Sequence, residues 1–163
     1  SGSDRIAEAL STVNADIIVN VQGDEPFQDR KSLIDLVDAF KDPRVNVASL
    51  KTKISAADAE SPNVVKVVVD LWGDALFFSR SMIPYNREKL QGVDYWKHVG
   101  IYAYRREVLQ AFTNLPKSNL ESIEMLEQLR LLENGYRIRM VDTLHQTISI
   151  DTAEDLEKAR RIL

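Results

Sequence analysis

Ile17-Ile18-Val19-Asn20-Val21-Gln22-Gly23-Asp24-Glu25-Pro26-Phe27 is the stretch on which the expected fold depends. Its first five residues are mostly apolar, which is typical of a strand that is covered on both faces. Gly23 then permits a sharp change of backbone direction, and Pro26 prevents a strand or helix from continuing. The stretch therefore predicts a buried strand of an open α/β sheet that ends in a tight acidic turn.

The acidic pair in this turn, Asp24 and Glu25, follows the carboxyl end of the strand, where open α/β sheets bind their ligands. Carboxylates there could hold Mg2+ against a phosphate, although a solvated turn is the simpler interpretation. Asp151 lies between an apolar run and a helix expected from Thr152, so it could be a second ligand or could simply cap that helix. Asp24 and Asp151 can form one site only if both strands end at the same edge of the sheet.

Composition limits the classes of protein to which the chain can belong. Its 163 residues, 44% hydrophobic and 28% charged, fit a single domain over residues 1–163. The net charge of -4 argues against a nucleic-acid partner, and no apolar run is long enough to predict a membrane partner. The absence of cysteine fits a reducing cytoplasm, and the presence of only two histidines argues against a histidine-rich zinc site.

Strand and helix patterns alternate along the rest of the chain. Strands are expected over Val45–Ile54, Tyr95–Tyr104 and Tyr136–Val141, and as a hairpin over Val64–Ser79. Helices are expected over residues 3–13, from Asp29 to before Pro43, near Val108, over Glu121–Asn134 and from Thr152. The buried stripes of two of these helices are expected to be Leu33, Ile34, Val37 and Phe40, and Met125, Leu126, Leu129 and Leu132. The pattern predicts an α/β domain with a Rossmann-like, mostly parallel but mixed sheet, flanked by helices and carrying an inserted β-hairpin.

Several polar residues could line a ligand site or belong to ordinary surfaces. His98 and Tyr102 are four residues apart in an expected strand, so they share a face that could be a ligand wall or a packed sheet face. Arg80 ends the hairpin and could bind a carboxylate or phosphate, although a surface arginine is the simpler interpretation. Glu127 and Gln128, taken alone, are typical of the solvated side of an amphipathic helix.

Five motifs follow one another along essentially the whole chain: Val21-Gln22-Gly23-Asp24-Glu25-Pro26, Phe78-Ser79-Arg80 with Ile83-Pro84, Lys97-His98-Val99-Gly100-Ile101-Tyr102-Ala103-Tyr104, Leu126-Glu127-Gln128-Leu129-Arg130 and Asp151-Thr152-Ala153-Glu154-Asp155-Leu156. In this order they closely resemble the 3-deoxy-manno-octulosonate (Kdo) cytidylyltransferases, also called CMP-Kdo synthetases. The opening Ser1-Gly2-Ser3-Asp4-Arg5 likewise resembles a Ser-Gly-Thr-Asp-Arg segment of that family.

The resemblance implies a fold of the nucleotide-diphospho-sugar transferase type and a Mg2+-dependent reaction. The cytidylyl group of CTP would pass to the anomeric hydroxyl of Kdo, giving pyrophosphate and CMP-Kdo, a precursor of lipopolysaccharide. The resemblance implies catalytic Mg2+ ligands at Asp24 and Asp151, and cytidine contacts at Ser1, Gly2 and Arg5. It implies a sugar-acid pocket made by Gln22, Arg80, His98, Tyr102, Glu127 and Gln128. It also implies a cytoplasmic homodimer formed through residues 64–79 and 95–104.

The sequence departs from the family in one respect. The family opens with a strand and a basic loop resembling Pro-Ala-Arg-x-x-Ser-x-Arg-x-Pro-x-Lys, which cradles the triphosphate, and nothing in this chain matches it. We therefore expect the chain to be the C-terminal part of a cytidylyltransferase domain, inactive or nearly so alone and with poor affinity for CTP. The alternatives are a CMP-activating enzyme for another sugar acid, such as sialic acid, and a non-catalytic dimerisation fragment.

Overall fold

The computed structural model describes Ile6, residues 14–21 and residues 29–144. The described strands are β1 (Ile17–Asn20), β2 (Val47–Ile54), β3 (Lys66–Val69), β4 (Ala75–Ser79), β5 (Tyr95–Arg105) and β6 (Ile138–Asp142). The described helices are α1 (Arg30–Asp38), α2 (Ala56–Ala59), α3 (Arg106–Thr113), α4 (Asn119–Glu124) and α5 (Leu129–Glu133), with a 3-10 turn at Ala39–Lys41. The helix expected from Thr152 lies outside the described residues, and of the first expected helix only Ile6 is described, as helical.

The six described strands form one mixed sheet, and the strand order is β4-β3-β5-β2-β6, with β1 paired to the carboxyl half of β5. The expected mixed α/β sheet with an inserted hairpin is confirmed. The expectation of mostly parallel pairing is wrong for these strands, because only β2 and β6 pair in parallel. Four strands do run in one direction, but β5 runs against them in the middle of the sheet and makes antiparallel pairs with three of them.

Each face of the sheet carries a hydrophobic core. One face, here called the pocket face, packs against α3, α5 and the segment before α5; its core includes Ile18, Val47, Tyr102, Tyr104, Leu109, Phe112, Leu129 and Met140. The opposite face packs against α1 and the 3-10 turn; its core includes Leu36, Phe40, Ala48, Leu50, Val99 and Ile101. Among the residues described, no helix has the length and apolar character needed to cross a bilayer.

The buried stripe of α1 differs from the expected one. Ser32 and Leu36 are buried, whereas Ile34 is 48% exposed and Val37 is 38% exposed. The helix begins after Asp29, whose side chain accepts a hydrogen bond from the backbone N–H of Ser32 over 3.0 Å. The Ser32 hydroxyl also shares a 2.5 Å hydrogen bond with the Thr143 hydroxyl, just after β6. The buried side of the helix therefore includes a polar contact, and of the expected stripe Phe40 is buried while Ile34 and Val37 are exposed.

The hairpin of β3 and β4 extends from the β5 side of the sheet across the pocket face to β6. At its turn the backbone N–H of Met140 donates to the carbonyl of Gly73 over 2.8 Å, and Arg139 donates to Asp74 over 2.6 Å. Gly73 has φ of 84°, which a residue with a side chain adopts only at a cost. Because the hairpin buries Phe78 on the pocket face, it forms a roof over part of β5.

Candidate functional site

Strand β5 places His98 and Tyr102 side by side on the pocket face. The centroids of their rings lie 5.3 Å apart, and the ring of Phe78 meets His98 edge-on at 5.0 Å. Ser49 of β2 pairs with Tyr102 while the next residue of β2 pairs with Val99, so β5 carries two extra residues at this point. An insertion of two residues keeps the alternation of faces, which is why the expected shared face of His98 and Tyr102 is confirmed.

Both side chains are uncharged near neutral pH. Burial, with a smaller contribution from the charge of Lys97, lowers the pKa of His98 to about 3. Burial also raises the pKa of Tyr102 well above its ordinary value, with smaller contributions from Tyr104 and the carboxylate of Glu127. His98 and Tyr102 can therefore recognise a ligand through neutral hydrogen bonds. A carboxylate of the ligand must find its cation elsewhere.

Glu127 and Gln128 lie in a turn and not on the solvated side of a helix. The expected continuous helix over residues 121–134 is wrong, because Met125 adopts a left-handed conformation (φ 54°, ψ 45°) that ends α4. Met125 is 68% exposed instead of buried, whereas Gln128 is only 7% exposed. Glu127 lies near enough to Tyr102 for its charge to act on the pKa of that phenol. The break in the helix therefore brings this turn to the pocket face.

Arg80 is held at the junction of β4 and α4. Its Nε donates to the carbonyl of Glu124 over 2.9 Å, and a terminal nitrogen donates to the carbonyl of Pro62 over 3.2 Å. The carboxylate of Glu124 accepts hydrogen bonds from the hydroxyl of Ser79 over 2.6 Å and from the backbone N–H of Arg80 over 2.9 Å. These contacts fix the guanidinium directly beside the turn of residues 125–128. No direct contact between Arg80 and His98 is found among the described residues.

Lys66 supports the backbone beneath Arg80. It is fully buried, and its Nζ donates to the carbonyls of Ser61, Val64 and Arg80 over 2.8, 2.6 and 2.6 Å. Burial lowers the pKa of this ammonium group, with a further lowering from the charge of Arg80. The three bonds connect the end of β4, the start of β3 and the loop that precedes it.

We expect Lys66→Met to lower the free energy of unfolding by about 1–3 kcal/mol, because it leaves carbonyl groups without their shared donor. Urea denaturation measures this loss. Lys53→Met is the matched control, since Lys53 is exposed and, within the described part of the chain, forms an ion pair only with exposed Asp94. Its effect should stay within about 0.5 kcal/mol. Equal losses in the two variants would contradict the supporting role of Lys66.

Three further polar side chains lie on the pocket face that the sequence analysis did not single out. Asn20 pairs with Tyr102 from one side, Ser49 pairs with Tyr102 from the other, and Lys51 pairs with His98. All three are buried, and Lys51 contacts Asp142 and lies 3.4 Å from the centroid of the Trp96 ring. The signal available in the sequence was a polar residue inside an otherwise apolar strand.

The other candidate residues lie outside the described residues: Ser1, Gly2, Arg5, Gln22, Asp24 and Asp151. Strands β1 and β6 run in the same direction, but the apolar run over residues 148–150 that precedes Asp151 lies outside the described residues, so whether it ends at the same edge as β1 is not tested. Within residues 14–21 and 29–144 no cluster of three or more metal-binding side chains occurs. The Mg2+ site therefore stays a prediction.

Comparison with known proteins decides the family. A sequence profile described as Cytidylyltransferase matches residues 1–140. The 3-deoxy-manno-octulosonate cytidylyltransferase of Flavobacterium johnsoniae is 54% identical over an alignment that covers 100% of this chain and 68% of the relative. The chain belongs to the 3-deoxy-manno-octulosonate cytidylyltransferase family. A second member of that family, from Koribacter versatilis, is 47% identical, and the match covers 62% of its length. The chain thus spans about two thirds of the length of these relatives.

Solved structures agree with this family and with its fold. A CMP:2-keto-3-deoxy-manno-octonic acid synthetase complexed with CTP superposes with a TM-score of 0.94 at 48% identity, covering 99% of this chain and 67% of that protein. A glucose-1-phosphate thymidylyltransferase from Bacillus anthracis superposes with a TM-score of 0.62 at 15% identity, covering 98% of this chain and 59% of that protein. The thymidylyltransferase shares the fold alone, which is the expected nucleotide-diphospho-sugar transferase type.

Proposed function

We propose that the chain serves the transfer of a cytidylyl group from CTP to the anomeric hydroxyl of Kdo, giving CMP-Kdo and pyrophosphate. The observation that carries this proposal is the likeness, along the whole chain, to the synthetase solved with CTP. The neutral, buried polar pair on the pocket face supports it, because a sugar with many hydroxyls is recognised through such groups. Catalysis would then depend mainly on positioning and on stabilising the charge of the transferred phosphoryl group.

In this proposal the sugar acid lies on the pocket face, against β5 and the turn before α5. Arg80 binds the carboxylate of Kdo, since its guanidinium is fixed beside that turn and His98 carries no charge. The hydroxyls of the sugar are bound by the remaining members of the expected pocket: Gln22, His98, Tyr102, Glu127 and Gln128. The described geometry supports this assignment, with the guanidinium of Arg80 for the carboxylate of the sugar, and the uncharged His98 and Tyr102 beside the carboxylate of Glu127 for its hydroxyls.

Asp24 and Asp151 are the proposed ligands of Mg2+. Carboxylate oxygens are suitable donors for this ion, and both residues follow apolar runs typical of strands, whose carboxyl ends bind ligands in open α/β sheets. When bound, the ion would neutralise charge on the triphosphate and lower the pKa of the attacking hydroxyl. Ser1, Gly2 and Arg5 are the proposed contacts to the cytidine.

A homodimer formed through the hairpin is also proposed. Leu71, Trp72 and Leu76 are 98%, 73% and 62% exposed, so the hairpin presents apolar side chains that a partner could cover. Sedimentation equilibrium should give the mass of a dimer, and Trp72→Ser with Leu76→Ser should shift it toward the monomer. A monomer at high concentration of the unaltered chain would contradict this interface.

A cytoplasmic location, in keeping with the absence of cysteine, stays a prediction.

The choice of sugar acid is tested by measuring pyrophosphate release from CTP and Mg2+ with either Kdo or sialic acid. The assay compares the 163-residue chain with an N-terminally extended form that begins with the basic loop of the family. We expect release with Kdo in the extended form and little with sialic acid. Faster release with sialic acid would mean that sialic acid, and not Kdo, is the substrate. No release in either form with either sugar acid would favour the dimerisation fragment.

A further inference from the structure

Ser49 makes an unusual set of contacts beneath the proposed sugar pocket. Its side chain is fully buried, and its hydroxyl oxygen lies 2.8 Å from the carbonyl oxygen of Ile101 and 3.3 Å from that of Val99. The same hydroxyl oxygen lies 2.9 Å from Nε2 of His98. One hydroxyl therefore contacts two carbonyl groups at the irregularity of β5 and one ring nitrogen of the histidine.

The protons in this cluster can be assigned because carbonyl oxygens accept and never donate. Ser49 has a single hydroxyl proton, and its shortest contact is with the carbonyl of Ile101. If that proton were given to His98, the oxygens of Ser49 and Ile101 would lie 2.8 Å apart with no proton between them. The arrangement without such repulsion has Ser49 donating to Ile101 and Nε2–H of His98 donating to Ser49.

This assignment leaves Nδ1 of His98 without a proton, as long as the ring is neutral. Burial keeps the pKa of His98 at about 3, so the neutral ring persists through the physiological range. None of the hydrogen bonds found among residues 14–21 and 29–144 involves Nδ1 of His98 or the hydroxyl of Tyr102. An unprotonated Nδ1 can accept a hydrogen bond from a hydroxyl but offers nothing to a carboxylate.

We propose that Ser49 is a positioning residue that fixes His98 in the Nε2–H tautomer, so that Nδ1 accepts a hydrogen bond from a hydroxyl of the sugar acid. The tautomer is a property of the chain alone. The hydroxyl contact rests on the proposed function. In this arrangement, the uncharged Nδ1 of His98 accepts a hydrogen bond from a hydroxyl of the sugar, while Arg80 binds the carboxylate.

The tautomer can be measured directly by long-range nitrogen–proton NMR of the histidine side chains, without any ligand. His145→Gln assigns the signals, because the chain has only two histidines. We expect Nε2 of His98 to show the shift of a protonated nitrogen and Nδ1 that of an unprotonated one, unchanged from about pH 6 to about pH 8. A ring protonated at Nδ1, or an imidazolium at neutral pH, would overturn the proposal.

The role of Ser49 is tested with two variants. Ser49→Ala removes the acceptor for Nε2–H, so we expect a mixture of tautomers in the chain and, in the N-terminally extended form, a KM for Kdo that rises about tenfold with a smaller change in kcat. Ser49→Thr keeps the hydroxyl and should restore the single tautomer. An unchanged tautomer in folded Ser49→Ala would contradict the role of Ser49. If neither variant folds, the spectrum of the unaltered Ser49 chain still decides the tautomer.

The hydroxyl contact is tested by recording the same NMR signals of His98 in the N-terminally extended form after adding Kdo, a non-hydrolysable CTP analogue and Mg2+. We expect the Nδ1 signal to move while that nitrogen stays unprotonated, as acceptance from a hydroxyl requires. Protonation of Nδ1 on binding would mean that His98 meets the carboxylate, and an unmoved Nδ1 signal beside other shifted resonances would exclude the contact. If no resonance moves, Kdo binding itself fails, and the ligand-free tautomer remains a separate result.

Discussion

Asp24→Asn or Asp151→Asn should lower kcat for Kdo-dependent pyrophosphate release by about 1000-fold or more. An amide has nearly the shape of a carboxylate, but it lacks the charge that holds a divalent cation and offsets that of the triphosphate. The assay uses the N-terminally extended form and a series of Mg2+ concentrations, because weakened binding alone would be reversed by added metal. Asp38→Asn is the matched control, since Asp38 is partly exposed at the end of α1 and, among the described residues, forms an ion pair only with Lys41.

The double variant tests whether Asp24 and Asp151 act on the same ion. If they do, the fold-loss of kcat in the double variant should be much smaller than the product of the two single fold-losses. The first substitution already weakens binding of the ion, so the second has little further effect. Independent, multiplying losses would contradict a shared site. Full activity in either single variant would remove that residue from the metal site altogether.

Arg130→Met should lower the free energy of unfolding by about 3–5 kcal/mol. The guanidinium donates to both carboxylate oxygens of Glu121 over 2.7 and 2.6 Å, and the two side chains are only 12% and 8% exposed. Glu121 also accepts the backbone N–H of Ser118 over 3.1 Å and so caps α4. Removing Arg130 leaves a buried carboxylate without its cation, next to the turn that carries Glu127 and Gln128.

The pH dependence of this loss has a definite sign. The hydrogen bonds from Arg130 hold the pKa of Glu121 below its ordinary value of 4.5, so the pair stabilises the fold above that pH. The contribution is lost as pH falls through and below 4.5 and Glu121 takes up a proton. The difference between Arg130→Met and the unaltered chain, measured by urea denaturation, should therefore shrink in acid. Arg87→Met is the control for an exposed arginine, and a loss for Arg130→Met no larger than in that control would contradict the account.

The sequence predicted the elements whose patterns are local and simple. The apolar run into Gly23 predicted β1, the turn at Gly73 predicted the hairpin, and the spacing of His98 and Tyr102 predicted their shared face. The direction of β5 relative to its neighbours was not predictable in this way, because apolar periodicity is the same for parallel and antiparallel pairing.

The parts of the site that sequence reasoning placed wrongly or overlooked depend on tertiary contacts. Nothing in an apolar stripe marks Met125 as left-handed, yet this one residue moves Gln128 from an expected solvated face into a buried turn. Asn20 and Ser49 interrupt apolar strands. Their place in the candidate site becomes evident only in the folded sheet, where both pair with Tyr102. A polar residue inside a buried strand is therefore a signal worth reading in other sequences of this fold.

The measurement that tests the central claim most directly is the KM for Kdo in Tyr102→Phe beside Tyr104→Phe, in the extended form. Both residues are buried on the pocket face, two positions apart, but only the ring of Tyr102 adjoins His98, whereas Tyr104 stacks on Phe112. We expect Tyr102→Phe to raise the KM for Kdo about five- to tenfold and to leave the KM for CTP unchanged. Tyr104→Phe should alter only the melting temperature. Equal KM values for Kdo in both variants would show that the sugar acid does not bind on this face.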